Sequence, residues 1–490
     1  MKPSAAATLT PRSPRAALAV ALLCGLALTA CDRSPDPAAG PSRPHVVVVV
    51  IDTLRADHLG VYGYPRNTSP NIDALAARGV VFRRATSPSS WTRPAVGSLM
   101  TSLHPTEHAA VSAQHALDPK VEMLAERFRA AGYHTIGVCG NFAHITERAG
   151  FARGFDDWSN PRIVVDGEGG DAIWAERSWW GKRRSLRALT GSELNREIFP
   201  RIPAAGKRPV FLYVHYMDPH SGYLPPAPHR ARFLRDPEFD RGQPSATSDW
   251  VRNTAAGRDE IGERGRERLV DLYDGEIASV DAAFGELMAH LEARGYSGNT
   301  VYAVLSDHGE EFAEHGGWFH GLTLYRESLA VPLVLFDSRA DAVGASVDAP
   351  VDLLDVPTTL MALAGLHPDP GMHGRALGAD GTEPAPRPLL AELHRDPLFE
   401  AGVRPRSHRW AFSRWPWKVI VHRVREVEFF RMDRDPGEHE ALSVGDGAPS
   451  ELFREGRALI EKIVEPRRTD TFEALEPEER DALKALGYFQ

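Results

Sequence analysis

Cysteine is scarce. The 490-residue chain has three, Cys24, Cys31 and Cys139, which excludes a disulfide framework. Positive charge is not in excess: 57 Lys and Arg stand against 66 Asp and Glu, for a net −9. That balance argues against a nucleic-acid partner, which needs a basic face. No internal run is long and apolar enough to span a membrane. Compositional extremes are also absent, with 42% hydrophobic and 25% charged residues, as in globular proteins. Such a length buries a large core unaided. It accommodates about three domains, or one large α/β unit with appendages.

The N-terminus reads as an address. Lys2, Arg12 and Arg15 precede an apolar run from Ala16 to Ala30, the pattern of a signal peptide rather than a span. The run ends in Leu28-Thr29-Ala30-Cys31, which resembles a bacterial lipobox. Residues 1–30 are therefore expected to be removed and Cys31 to carry lipid, anchoring the protein to a membrane of the bacterial cell envelope. An ordinary secretory signal is the alternative. Residues 31–44, rich in Pro, Ala and Ser, read as a flexible tether. Asp32 after the cysteine is weakly suggestive of the inner membrane's periplasmic side rather than the outer membrane.

Beyond the tether, short apolar runs alternate with helical patterns. His45–Ile51 is a continuous β-branched run, suited to a strand buried on both faces. Further runs cover 135–139, 210–216, 300–305 and 331–336, with helices expected over 119–131 and across Leu269 to Leu291, where apolar residues recur every three or four positions. The alternation predicts an α/β fold with a mostly parallel central sheet flanked by helices. Chemistry-bearing residues follow these runs: Asp52 after the first, His220 after the third, Asp307 and His308 after the fourth. Ligands bind outside the carboxyl ends of strands in such sheets, so these four are expected to converge. Asp52, Asp307 and His308 are the candidate metal ligands.

Residues 87–102 supply a candidate nucleophile. Thr92 is placed to cap a helix and Pro94 sits in its first turn, where proline is tolerated. A hydroxyl there faces the free amides and positive dipole end that bind tetrahedral oxyanions. Threonine is a poor nucleophile unless a base or metal lowers its pKa. A metal on Asp52, Asp307 and His308 would do so.

Together these residues carry a family pattern. The chain resembles the sulfatases of the alkaline-phosphatase superfamily over roughly residues 45–445. The resemblance rests on Val50 to Gly60, Ser69 to Ala76, Phe211 to Tyr223, Ser306 to Glu310 with His320-Gly321, Asp355 to Leu360, and Met432 to Pro436. It implies a metal-dependent hydrolase of phosphate or sulfate esters, acting on small-molecule or glycan and lipid esters. It implies that His220 and His320 hold ester oxygens or protonate the leaving group, and that Asn141 touches substrate. His215 and Asp218 are candidates for a second metal. The mixed oxygen and nitrogen ligand set favours Mn²⁺ or Zn²⁺ over Ca²⁺ or Mg²⁺.

The chain also departs from the family. Sulfatases oxidise a Cys or Ser in C-x-P-x-R to formylglycine. Here Thr92 takes that place, Val96 replaces the arginine, and no formylglycine is expected. Arg93 is a candidate to stand in for the arginine. Thr53 replaces a second aspartate. The family's Gly-Lys-x-His element reads Cys139-Gly140-Asn141-Phe142, with no counterpart for its lysine and histidine. Superfamily phosphodiesterases and phospho-group transferases use a threonine nucleophile, so the departures pull toward phosphate esters. A transferase and a non-catalytic binder of anionic ligands are the rivals. The expected catalytic domain spans 45–385, a small α+β subdomain 386–465 and a tail helix 466–490. Segments 160–208 and 224–262 read as insertions near the site.

Overall fold

The computed structural model describes residues 43–464 except 114, 166–173, 178–182, 244–260, 341–343, 395–408, 424–425 and 443–449. The expected signal peptide, Cys31, most of the expected tether and the expected tail helix lie outside the described residues.

Eight strands build the central sheet: β1 (His45–Ile51), β2 (Val80–Phe82), β3 (His134–Cys139), β4 (Asp157–Ser159), β5 (Val210–Tyr216), β6 (Thr300–Leu305), β7 (Leu333–Asp337) and β8 (Ala345–Val347). Their order is β8-β2-β7-β6-β1-β5-β3-β4. All pairings are parallel except those of β7, which runs antiparallel between β6 and β2. The fold is thus the expected mixed α/β class with a mostly parallel sheet.

The valine run shows why β1 lies at the centre. Val47, Val49 and Ile51 point into one core, and Val46, Val48 and Val50 into the other. Side chains alternate across a strand, and only a run apolar at every position satisfies both faces. The first core is completed by the long helix Glu263–Ala293, through Leu269, Leu272, Ile277, Val280, Phe284, Leu287 and Leu291. That helix starts before the apolar stripe, with Glu263 and Arg264 exposed in its first turn. The second core holds the helix Thr92–Thr101 through Val96, Leu99 and Met100, together with Phe128. The helix expected over 119–131 is shorter, Leu124–Ala130. The residues before it, beginning with Pro119, form turns.

A separate antiparallel sheet follows, β9 (Leu389–Leu393), β10 (Arg409–Arg414), β11 (Trp417–Arg423) and β12 (Glu426–Arg431), paired in that order. The helix Ser450–Val464 covers one face by placing Leu452 among Leu390, Phe412, Val419 and Phe429. The opposite face packs Ala391, Ala411, Ile420 and Phe430 on Leu324 and Leu329. The sheet therefore supports the segment that follows Asp307 and His308. Within the first insertion, Ile163–Val165, Trp174–Arg177 and Arg183–Arg187 pair as a small three-stranded sheet.

Candidate active site

Strand register brings the candidates to one level. Ile51 pairs with Tyr216, Val50 with His215 and with Leu305, and Cys139 with His215. Because these four strands are parallel, the residues that follow them leave the sheet on one edge.

Each buried aspartate there has one oxygen fixed by protein and one left alone. Asp52 Oδ2 accepts the Asn141 amide at 2.8 Å and faces His215 Nε2 at 3.1 Å. Asp307 Oδ1 accepts the backbone amides of Thr53 at 3.2 Å and His308 at 3.0 Å. Asp52 Oδ1 and Asp307 Oδ2 have no hydrogen-bond partner, and neither does Thr53 Oγ1. His308 Nε2 lies 3.9 Å from the first of these oxygens and 3.5 Å from the second. Its Nδ1 is 2.9 Å from the Gly309 carbonyl, which fixes the ring with Nε2 as the open donor atom. Thr92 Oγ1 is 3.1 Å from that Nε2.

Orphaned buried oxygens are costly, and two carboxylates beside an imidazole suit a divalent cation. These residues therefore fit the metal the sequence implies. His215 stands in the same cluster: one ligand-capable atom each from Asp52, His215 and Asp307 lies within 4.8 Å of the others. Burial alone would push Asp52 up, but the His215 bond and the facing His220 and His308 hold it below the usual carboxylate range. Asp307 is pushed up, first by burial and then by Asp52 beside it.

Neighbouring residues hold this geometry. Ser306 Oγ accepts the Leu54 amide and donates to the His308 carbonyl, at 2.8 and 2.7 Å. Arg55, buried, reaches the Glu310 carbonyl at 3.0 Å and Glu314 at 2.6 Å, bracing the loop after His308. Gly309 permits a close approach: a Cβ there would lie 2.0 Å from the Glu327 carbonyl oxygen. Thr53 adopts φ 56°, an uncommon conformation for a β-branched residue, and the strain sits beside the orphaned carboxylates.

Some expected roles change. Thr92 is the first residue of its helix and Trp91 is the cap. The Thr92 hydroxyl makes no capping bond, so it is directed at His308 instead of at its own amides. Arg93 does not reach the site. Its guanidinium donates to the carbonyls of Ser112, Ala113, His115, Ala143 and His144 and so clamps loops. Asn141 is engaged at both ends, donating to Asp52 and accepting the His144 amide at 3.0 Å, and so helps to position Asp52. Asp218 accepts the Gly191 amide at 2.8 Å and joins no grouping of close ligand atoms among the described residues.

The histidines form a wall beside the carboxylates. His220 and His320 are 4.8 Å apart between ring centroids, and His320 and His308 4.6 Å. His320 Nδ1 meets Glu310 Oε1 at 2.7 Å, and Tyr223 donates to Glu310 Oε2 at 2.9 Å. Burial and the facing His308 lower His320 to about 3. His144, which the sequence reading missed, is buried, stacks edge-on with Trp91 at 5.0 Å, and is lowered to about 3 by burial, Arg93 and His220. It lies four positions after Gly140, where a Gly-Lys-x-His spacing does not reach. Cys139 is buried and its thiol is pushed up by burial, in keeping with an inert core cysteine.

A sequence model of the sulfatases matches residues 44–366, more than half of the chain. The chain belongs to the sulfatase family. Family members are metal-dependent ester hydrolases. An arylsulfatase of Clostridium perfringens is 26% identical over 86% of this chain and 94% of its own length. The multifunctional alkaline phosphatase superfamily protein PehA of Trinickia caryophylli is 24% identical over 88% and 97%. A phosphonate monoester hydrolase from Silicibacter pomeroyi has the same fold, with TM-score 0.67 at 19% identity over 86% of this chain and 95% of that one. So does a protein solved with its substrate D-glucosamine-2-N,6-O-disulfate, at TM-score 0.67 and 18% identity over 87% and 99%.

Proposed function

We propose that this sulfatase-family enzyme hydrolyses phosphate esters, mono- or diesters, with Thr92 as nucleophile. The observation that carries the reading is the Thr92 hydroxyl, buried at the first residue of its helix and 3.1 Å from His308 Nε2, beside two orphaned carboxylate oxygens. Asp52, Asp307 and His308 would hold a divalent ion, with Mn²⁺ or Zn²⁺ favoured. Bound there, such an ion lowers the pKa of an adjacent hydroxyl and screens an ester oxygen.

Thr92 Oγ attacks phosphorus, its hydroxyl proton is passed on to the leaving-group oxygen as the P–O bond to that group breaks, and Thr92 carries the phosphoryl group as an ester. Water then attacks the same phosphorus and Thr92 leaves as its alcohol. The helix start adds the Thr92 and Arg93 amides toward the anion. Pro94 contributes none. His320 is aligned by Glu310 behind it, so its Nε2 is the atom that exchanges a proton with the ester oxygens. His220 Nδ1, 3.1 Å from the Ser221 carbonyl, is likewise occupied, which leaves Nε2 facing the site.

Phosphate is favoured over sulfate because of how the ester is released. A formylglycine hydrate expels its ester by elimination at its own carbon. Threonine has no such route and needs attack at the central atom. The reading is tested by side-by-side kinetics on matched aryl phosphate diesters, phosphonate monoesters and aryl sulfates. Phosphorus ester turnover should lead by orders of magnitude. Faster sulfate turnover by the unmodified threonine enzyme overturns it and returns the chain to the activity named for its arylsulfatase relative.

A further inference from the structure

A second group of metal-capable side chains lies at the far end of the nucleophile helix. That helix runs ten residues from Thr92 to Thr101, which carries the chain about 15 Å away from the catalytic end. There His104, Glu107 and His373 each offer one ligand atom within 4.8 Å of the others. The two histidine rings are 5.0 Å apart between centroids. Glu107 meets His373 Nε2 at 2.8 Å.

Three observations separate this group from a chance surface cluster. His104 is only 5% exposed, and its Nδ1 has no hydrogen-bond partner. A buried imidazole nitrogen left unpaired is costly. Glu392 Oε1, in a carboxylate that faces His104 from the C-terminal sheet, is also buried without a partner. The His373 loop is held in place: Ser102, in a left-handed conformation at φ 58°, accepts the His373 amide on its carbonyl and the Gly374 amide on Oγ, both at 2.9 Å. A Cβ at Gly374 would overlap the Leu354 carbonyl oxygen at 1.8 Å, so this approach requires glycine. The donors are therefore brought together by fixed backbone and not by free side-chain rotation.

We propose that His104, Glu107 and His373 form a second, non-catalytic site for a zinc-class divalent ion. Two imidazoles and a carboxylate match the tetrahedral nitrogen and oxygen sets that bind Zn²⁺ or Co²⁺, with a fourth place for water or Glu392. Ca²⁺ is poorly served, since it takes six to eight oxygens. Binding would exchange the hydrogen bond between Glu107 and His373 for two metal bonds. It would fasten the loop before the C-terminal sheet to the turn below the nucleophile helix.

The experiment uses the full chain with Asp307→Ala, which removes the catalytic metal set, and titrates it with Co²⁺ followed by Zn²⁺. One equivalent of Co²⁺ should bind with visible absorption of a low-coordinate, histidine-ligated ion, and Zn²⁺ should displace it and raise the unfolding midpoint. His373→Ala in the same background should weaken binding by about 100-fold or more and erase the midpoint shift. The His373 side chain is 40% exposed, so this variant is expected to fold. Glu107→Gln should weaken binding in the same direction. His373→Ala alone should keep ester turnover, because it leaves the catalytic residues in place. Equal Co²⁺ binding with and without His373, or no binding to Asp307→Ala at all, overturns the proposal. Retention of an additional, His373-independent ion by Asp307→Ala would count against the catalytic ligand assignment instead.

Discussion

At the scale of single residues, the site depends on atoms left unpaired. Asp52 Oδ1 and Asp307 Oδ2 are buried without partners while their sister oxygens are fully engaged. Asp307→Ala should therefore abolish metal retention at the catalytic end, read by elemental analysis, together with turnover. Thr92→Ala should behave differently. It removes the proposed nucleophile but no carboxylate, so metal content should persist while kcat falls at least about 10³-fold, as for other nucleophile deletions. Metal-replete Thr92→Ala with near-native turnover would dismiss the threonine. His320→Ala should cost about 10²- to 10⁴-fold in kcat, the range for loss of a positioned acid or base. Glu310→Gln should cost less, since it alters only the group behind the ring.

Among the elements, the helix Pro70–Ala76 is capped from a distance. Ser69 precedes it, but no side-chain cap bond forms. Asp281, on the long helix Glu263–Ala293, accepts the amides of Asn71 at 3.1 Å and Ile72 at 2.9 Å. This supplies the acceptor that the helix start needs. Burial is the largest influence on Asp281 and raises it to about 6, against the bonds that lower it. Its folded pKa thus exceeds the ordinary 3.8, so the folded state holds the proton more tightly. Stability from this residue is present at low pH and declines as pH rises between 3.8 and about 6. Asp281→Asn should flatten that slope while keeping one acceptor. Asp281→Ala should cost about 1–3 kcal/mol by leaving buried donors unpaired. Denaturant titrations at several pH values check both, and an unchanged slope in Asp281→Asn would assign it elsewhere.

At the scale of the whole molecule, the described residues combine a catalytic sheet with a supporting C-terminal sheet. The C-terminal sheet backs the catalytic loop through Leu324 and Leu329. No helix among the described residues is long and apolar enough to cross a membrane. Attachment is instead proposed through lipid on Cys31, on the periplasmic side of the inner membrane or on the outer membrane of a bacterial envelope. Cys31→Ser should leave the protein soluble or uncleaved in fractionated cells. Mass spectrometry of a mature chain that begins elsewhere, unmodified, would remove the anchor.

The sequence alone determined five of the eight central strands and the first list of site residues, while Val80–Phe82, Asp157–Ser159 and Ala345–Val347, three residues each, are too short to show a periodicity and take their place only by pairing. A run of five valines closed by Ile51 can satisfy burial only at the centre of a two-faced sheet. Polar residues directly after such runs must emerge at its carboxyl edge. Those are local consequences of periodicity and solvation. Other features were settled only by tertiary contacts. Thr92 reads as a helix cap, yet Trp91 holds that place and the threonine hydroxyl meets His308, 216 positions away. Arg93 looked available for substrate, but its donors meet carbonyls of two loops that adjoin it only in space. His144 does not fall on the family spacing, and only the path of its loop sets it beside Trp91. The grouping of His104, Glu107 and His373 was equally invisible. Residues 266 positions apart carry no shared periodicity, and contacts such as those of the Ser102 carbonyl and hydroxyl with the His373 loop bring them within reach.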